Sequence, residues 1–574
     1  MTRRIFVTAL VAIFAVGLFM RVAWLRADPP TTDAVGIVWH DEGAWVHNAR
    51  NRALWGTWRT DAWNPVFIAP VFTALEYGSF KALGVGTWQA RAVPVASGLL
   101  AIAALVAGLA VVADRRAAII GGALLATNYA FVMWNRAALM ESTMTAFIVV
   151  AWAAYASSDR RPIMAALAGI AAVAAWFTKA SAAFFVAALV LDAAMAIGQR
   201  WRSRAQPGTR DSGAAWWALL GLTVAFLVVG VLFVAPHWTD YQFYNWQMTV
   251  TRKPSYSPHD LMNRASWLPL VQGIFSRMWF VLVLGAAGIF GIATRWTAAR
   301  PAERLLVFWI FIGLAELIVH DSGNERRYVM FIPAFTALAS VAVSRALAGP
   351  DGTRRVLHPV VAAALVLPLA YLVIGSVIRT PLVHQIEAGN LKLAVRMSTA
   401  LAIVAAAIAA WLASNALRRI QTIAVSLRPI VVACCLLALC WNVFEYARWT
   451  TRRTTVNADA SLALGHLLAP GTIVQGKLAN GMSLENQIRP IFVGNGFGNY
   501  EDRLRRDDAR YILTYDLPRI GYESSDGSGL IQGILDHYPR RRVIATFVVD
   551  ETPGPDRAVL IDKEPDGLPA HARD

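Results

Sequence analysis

Long apolar stretches recur along the chain, and short polar segments rich in arginine separate them. Clear examples are residues 5–20, 163–177, 216–235, 278–293 and 360–378. Each approaches the roughly 20 apolar residues that an α-helix needs to cross the hydrocarbon core of a bilayer. We count about 13 such segments. The pattern therefore predicts a polytopic α-helical membrane protein.

The arginines between the apolar segments predict the orientation of the chain. With the N-terminus in the cytoplasm, every second connection is basic, as the positive-inside rule requires. The basic connections contain Arg115 and Arg116, Arg160 and Arg161, and the segments 200–210, 295–304, 345–355 and 418–428. An odd number of spans then places the chain after Tyr446 outside. We therefore expect a transmembrane unit at 1–446 and a periplasmic or extracellular domain at 447–574.

Composition and charge agree with this assignment. Of the 574 residues, 57% are hydrophobic and 16% are charged, a balance that is unusual for a soluble globular protein of this size. The formal charge of +16 does not indicate nucleic-acid binding, because the arginines lie between spans and not on one soluble face. The first span follows Arg3 and Arg4 without a convincing cleavage site, so we expect a retained anchor in a bacterial inner (plasma) membrane.

Three outward connections are long, and function in helical membrane proteins is often found where such loops meet the bundle. They cover residues 26–89, 236–267 and the terminal segment from Ala447. In the first, residues 44–54 and 71–83 are predicted to be helices along the membrane interface, because tryptophans surround them. An irregular loop anchored by these aromatic residues is the alternative.

The terminal segment has apolar stretches of strand length, separated by helical and turn-rich stretches. Residues 471–474, 511–514 and 542–549 are the predicted strands of a small α/β domain. The glycine-rich segment 494–500 lacks the spacing of a dinucleotide fingerprint and is interpreted as a loop.

Adjacent carboxylates follow the first span on the outer side. Asp41 and Glu42 lie in the sequence HDEGAW, and ionisable groups at a membrane boundary often serve function. A reaction at a hydroxyl group needs a base, and a carboxylate near a second acid or partly desolvated can be basic enough. Alternatively, Asp41 caps the following helix and Glu42 favours its positive end.

A third carboxylate, Glu141, lies in a short outward turn between the third and fourth predicted spans. Asn135, Arg136 and Glu141 should return to the membrane depth of Asp41. Glu141 could line the same cavity and orient a substrate or a cation. An ion pair between Arg136 and Glu141 that holds the turn is the alternative.

Cations on the outer side are sparse, so each is a candidate for binding phosphate oxygens. The candidates are Lys179 at the end of the fifth span, Arg326, Arg327 and Tyr328 before the tenth span, and Arg252 and Lys253 in the second long loop. Anchoring to the interface or to lipid headgroups is the alternative for each.

Possible metal ligands and thiols complete the candidate chemistry. His237, His259 and His320 lie near Asp240, Asp260 and Asp321. Their spacing is unlike that of a helical metal motif, so a divalent cation stays possible and no cofactor is required. Cys434, Cys435 and Cys440 fall in one predicted span and are interpreted as packing residues.

The order of several motifs resembles the polyprenyl-phosphate-sugar transferases related to protein O-mannosyltransferases and to lipid A aminoarabinose transferase, which share the GT-C fold. The motifs are DEGAWVHNARN at 41–51, NPVFIAPVF at 64–72 leading into 84–91, NRAALMES at 135–142, FTKAS at 177–181 and ERRYVMFIPAF at 325–335. The resemblance covers roughly the first 350 residues in motif order. Glu141 stands where aspartate is commoner in that family.

The resemblance implies an inverting glycosyltransferase that moves one sugar from a polyprenyl-phosphate carrier to an outward-facing acceptor. Asp41 would be the catalytic base, Glu42 would support it and Glu141 would orient the substrate. Lys179 and Arg327, with Arg326 and Tyr328, would stabilise the leaving phosphate. The acceptor would be a glycolipid, a polysaccharide or a protein.

Three other functions remain open. A transporter or flippase of a lipid-linked sugar would also have many spans, although it should show inverted repeats and charges near the midplane. Transfer of a preassembled oligosaccharide would use the same fold. The terminal domain could instead recruit a partner in the cell envelope.

Overall fold

The computed structural model describes residues 2–29, 38–59, 63–202, 213–246, 256–268, 276–320, 325–348, 366–375, 377–378, 391–420, 428–492, 508–515, 533–550 and 556–564. The helices before residue 320 are α1 (Arg3–Val22), α2 (Val38–Trp55), α3 (Pro70–Leu83), α4 (Thr87–Val112), α5 (Arg115–Thr127), α6 (Tyr129–Trp134), α7 (Met140–Ser157), α8 (Met164–Thr178), α9 (Ala183–Arg202), α10 (Gly213–Val229), α11 (Trp238–Trp246), α12 (Pro258–Trp267), α13 (Trp279–Ala293) and α14 (Pro301–His320). The later helices are α15 (Ile332–Ala348), α16 (Val366–Gly375), α17 (Leu391–Ile420), α18 (Arg428–Arg452), α19 (Val456–Leu467) and α20 (Lys477–Gly481). The strands are β1 (Ile473–Gln475), β2 (Arg489–Ile491), β3 (Tyr511–Tyr515), β4 (Arg542–Asp550) and β5 (Asp556–Asp562).

Several helices are long and apolar enough to cross a bilayer. Within the described ranges they are Arg3–Val22, Thr87–Val112, Ala180–Gln199, Gly213–Val234, Arg326–Ala348 and Arg428–Leu467, with four shorter apolar helices besides. Leu232 in the fourth of these is 72% exposed, as expected for a side chain that faces lipid. The chain is an integral membrane protein with several spans, and the total of about 13 stays a prediction.

Small residues let the central helices pack closely. A Cβ added to Gly108 of α4 would lie 2.3 Å from the Trp152 ring of α7. A Cβ added to Gly169 of α8 or to Gly221 of α10 would lie similarly close to the backbone of the opposite helix. Membrane helices gain dispersion energy through such contacts, because lipid provides no hydrophobic drive between them.

Polar contacts join several helices at one end of the bundle. Arg304 donates to Asp192 at 2.8 Å, and the Tyr155 hydroxyl donates to the other oxygen of that carboxylate at 2.8 Å. Arg300 donates to the carbonyl of Val111 at the end of α4. Because α4 has 26 residues, its start lies about 39 Å away. The first long loop therefore meets the bundle at the opposite end.

The two helices predicted in the first long loop are confirmed as α2 and α3. The indole of Trp63 donates to the carbonyl of Ala44 at 2.8 Å and packs edge-on against Trp45. Phe67 stacks on Tyr244 of α11, with ring centroids 5.6 Å apart. The first and second long loops therefore pack together. Their location at the membrane interface stays a prediction.

The terminal segment forms a mixed sheet whose described strands have the order β2-β1-β3-β5-β4. β1 pairs in parallel with β2 and β3, and β5 pairs antiparallel with β3 and β4. The predicted strands are confirmed as β1, β3 and β4, whereas β2 and β5 were not predicted. The predicted loop at 494–500 lies outside the described residues.

Candidate active site

Asp41 lies in the first turn of α2, in the first long loop. Its Oδ2 atom is 2.5 Å from Nη1 of Arg326, which precedes α15. The Asp41 side chain is 31% exposed. The positive end of the helix dipole also favours a carboxylate in this turn. Asp41 is therefore partly accessible and paired with a cation from a distant part of the sequence.

Glu42 occupies a different environment from its neighbour. Both of its oxygens accept from the Arg91 guanidinium, at 2.9 and 2.8 Å, and Oε1 also accepts from the backbone amide of Ala138 at 2.7 Å. The side chains of Glu42 and Arg91 are 3% and 2% exposed. Glu42 therefore ties α2 to α4 and to the turn before α7.

Glu141 lies in the first turn of α7 and contacts two cations. Its Oε1 is 2.5 Å from the ammonium of Lys179 and 3.3 Å from Nε of Arg326. Arg136 does not hold the turn through this carboxylate. It donates instead to the carbonyls of Met20 and Arg21 at the end of α1.

Asp41, Arg326, Glu141 and Lys179 consequently form one chain of ion pairs. Lys179 follows the last residue of α8 and lies in the connection between two spans. Burial lowers the pKa of its ammonium to about 8, although the Glu141 carboxylate acts in the opposite direction. Lys179 is thus a cation near neutral pH that can lose its charge just above it.

The other predicted phosphate ligands are placed less directly. Arg327 is half-buried, and Tyr328 is 1% exposed with its ring edge-on to Phe331. Their contact with phosphate stays a prediction. Arg252 and Lys253 lie outside the described residues.

The histidines do not converge with acidic residues on one point in the described part of the chain. His237 contacts the carbonyl of Phe233, His259 lies 3.5 Å from Asp260, and His320 lies 3.4 Å from Glu316. Asp240 pairs with Arg59, and Asp321 lies outside the described ranges. No group of three potential ligands occurs among the described residues.

Sequence reasoning missed Arg91, the partner of Glu42. The signal was available, because Arg91 is a charged residue near the start of the long apolar helix α4, and such residues are usually paired. It also missed Arg50 of α2, which is fully buried. No local pattern distinguishes this arginine from the exposed arginines nearby.

Comparison with known proteins relates one segment of the chain to an enzyme family. Residues 68–245 match the PMT family, described as dolichyl-phosphate-mannose-protein mannosyltransferase. The matched segment is less than half of the chain, so it shows a similarity to this family over that segment. The segment includes Arg91, Glu141 and Lys179, whereas Asp41 and Arg326 lie outside it.

Solved structures identify the fold of the whole chain. The crystal structure of ArnT from Cupriavidus metallidurans bound to undecaprenyl phosphate is 17% identical, covers 98% of each chain and has a TM-score of 0.55. The apo structure of the same protein is 17% identical, covers 97% of each chain and has a TM-score of 0.56. No curated protein matches the sequence. The chain therefore has an ArnT-like fold over nearly its whole length.

Proposed function

We propose that the protein transfers a single sugar from a polyprenyl-phosphate-linked donor to an acceptor of the cell envelope, with inversion at the anomeric carbon. The observation that carries the proposal is the ion-pair chain from Asp41 through Arg326 and Glu141 to Lys179. It combines a candidate base and candidate phosphate ligands at one end of the bundle.

The donor class is supported by two observations. ArnT, which shares the fold, was crystallised with undecaprenyl phosphate. In this chain, Arg326 and Lys179 offer a guanidinium and an ammonium that are 18% and 15% exposed. Cations that are largely removed from water interact strongly with phosphate oxygens.

The reaction is a single displacement at the anomeric carbon. The acceptor oxygen forms a bond to that carbon while the bond between carbon and phosphate oxygen breaks, and the phosphate leaves with the electron pair. Asp41 takes the proton of the acceptor hydroxyl. Lys179 and Arg326, with Arg327, stabilise the charge on the leaving phosphate.

Arg326 links donor binding to the base. This guanidinium bridges Asp41 and Glu141. The phosphate of a bound sugar donor competes with Asp41 for the N–H groups of Arg326. Its binding therefore releases the carboxylate to accept a proton. Donor binding should therefore precede productive acceptor binding.

The proposed orientation follows from the positions of the long loops and of the basic connections. The long loops meet at the end of the bundle opposite the basic connections, which the positive-inside rule places in the cytoplasm. Transfer would then take place on the periplasmic or extracellular face of the bacterial inner membrane. A glycolipid, a polysaccharide or a protein hydroxyl would each fit the chemistry.

The test uses the full chain in membranes with a panel of radiolabelled polyprenyl-phosphate sugars. Turnover with one donor that disappears in Asp41→Asn supports the proposal and names the sugar. Transfer of a preassembled oligosaccharide in place of single sugars would contradict the single-sugar assignment. Movement of a donor across the bilayer without transfer, unchanged in Asp41→Asn, would make the protein a transporter.

A further inference from the structure

Arg50 of α2 joins the transmembrane unit to the terminal domain. Its side chain is fully buried. Its Nε donates to the carbonyl of Ser483 at 2.9 Å, and its Nη2 donates to the carbonyls of Asn486 and Ile488 at 2.9 and 3.0 Å. These three acceptors lie in the segment between α20 and β2. One guanidinium therefore satisfies three carbonyl groups of the other domain.

The same face of α2 touches the terminal domain closely at a second point. Gly43 lies seven residues before Arg50, which is two helical turns on the same face. A Cβ at Gly43 would lie 1.8 Å from the carbonyl oxygen of Asn480. No side chain fits in that space, so the domain directly contacts the backbone of α2. Gly43 is two residues from Asp41.

Further contacts fix the terminal domain to the helices around α2. Glu485 accepts from the backbone amide of Thr87 at the start of α4, at 3.1 Å. Asp28, after α1, accepts from Thr454 and Asn457 at 2.8 Å each. The terminal domain thus contacts α2, the start of α4 and the segment after α1, all of which belong to the transmembrane unit.

We propose that the terminal domain positions the catalytic helix and that Arg50 is a positioning residue for Asp41. This inference rests on the proposed function, which assigns the base to Asp41. A roll or shift of α2 would move Asp41 relative to Arg326 and Glu141, which belong to other helices. A displacement of about 1 Å from the reactive geometry can lower turnover about 100-fold. Recruitment of an envelope partner would not require a buried arginine on this helix.

The first test compares Arg50→Ala and Arg50→Lys with Arg52→Ala in the full chain. Arg52 lies on the same helix, is exposed and donates to the nearby carbonyl of Gly56, so it is the matched control. We expect Arg50→Ala to lower kcat at least about tenfold. Binding of undecaprenyl phosphate should change less than about twofold, because the proposed phosphate ligands lie outside α2. Arg50→Lys should lie between, since an ammonium cannot reproduce the planar fork.

A second measurement reports position without requiring activity. In a chain with Cys434, Cys435 and Cys440 replaced by alanine, Asp41→Cys and Arg326→Cys are joined by a short bis-methanethiosulfonate reagent. We expect Arg50→Ala to slow this crosslinking several-fold and Arg52→Ala to leave it unchanged. If Arg50→Ala does not fold, Arg50→Lys is compared in its place.

Unchanged kcat and unchanged crosslinking in a folded Arg50 variant would overturn the inference. A folded variant that loses undecaprenyl phosphate binding together with kcat would overturn it as well, because that result indicates general disruption. Failure of the proposed function is visible separately. The wild type would then transfer no sugar from any donor, while crosslinking would still depend on Arg50.

Discussion

The ammonium of Lys179 lies 2.5 Å from the carboxylate of Glu141, although Glu141 lies in α7, Lys179 follows α8 and the two residues are 38 positions apart in sequence. The side chain of Glu141 is 2% exposed and that of Lys179 is 15% exposed. The pair therefore brings a cation to the same end of the bundle as Asp41, with a carboxylate to balance its charge.

Donor binding should depend on pH through Lys179. Burial lowers the pKa of this ammonium to about 8, so the lysine is charged below that pH and neutral above it. The affinity for undecaprenyl phosphate should fall about tenfold between pH 7 and pH 9. Lys179→Arg should remove the decrease, because arginine stays charged. Equilibrium binding of labelled undecaprenyl phosphate at each pH measures the affinity of the wild type and of Lys179→Arg.

The matched control for this pH dependence is Lys81→Arg on α3, whose side chain is exposed. It should retain the alkaline decrease of the wild type. A Lys179→Arg variant with the same decrease would exclude Lys179 as the titrating group.

Asp41→Asn should separate binding from turnover. We expect transfer to fall at least about 100-fold, since a general base contributes that much or more. Undecaprenyl phosphate should bind as tightly as before or more tightly, because Arg326 no longer pairs with a charged Asp41. Lys179→Ala and Arg327→Ala should weaken binding about tenfold each. Near-normal transfer by Asp41→Asn would exclude Asp41 as the base.

The buried pair of Glu42 and Arg91 should be sensitive to loss of either partner. Breaking a buried ion pair costs about 3–5 kcal/mol, because the remaining charge is left unpaired. Glu42→Gln and Arg91→Met should each lower the apparent unfolding temperature in detergent. The variant that carries both substitutions should have a higher apparent unfolding temperature than either single variant.

The exposed pair of Arg59 and Asp240 is the control for this measurement. Their side chains are 51% and 32% exposed, and such pairs contribute at most about 1 kcal/mol. Asp240→Asn should therefore leave the unfolding temperature nearly unchanged. Equal effects at the buried and the exposed pair would contradict the structural role of Glu42.

Glu76 of α3 should destabilise the protein as pH rises. Its side chain is fully buried, and neither carboxylate oxygen has a hydrogen-bond partner among the described residues. Burial, and secondarily the charge of Glu42, raises its pKa well above the ordinary value of 4.5. Above pH 4.5 the unfolded chain has lost this proton while the folded chain retains it, so stability falls until the folded-state pKa is passed.

Glu76→Gln cannot ionise and should remove this decrease. The gain in apparent unfolding temperature relative to wild type should therefore be larger at pH 8 than at pH 5. Lys81→Gln, on the exposed face of the same helix, provides the control. A gain of equal size at both pH values would indicate that Glu76 does not titrate between them.

The sequence by itself determined the membrane class, the helices α2 and α3 and the character of the terminal domain. These follow from local pattern, because apolar length, tryptophan content and strand-length segments depend on neighbours along the chain. The candidate residues were also visible, since charges such as Asp41, Glu141 and Lys179 are conspicuous beside apolar spans.

The partners of those residues were decided only by the tertiary structure. The adjacent carboxylates Asp41 and Glu42 have different environments because one faces Arg326 and the other is buried against Arg91. Arg50 and Arg52 lie two positions apart, yet one is buried at the domain interface and the other is exposed. Helix packing sets these contacts between residues far apart in sequence, and no local pattern encodes them.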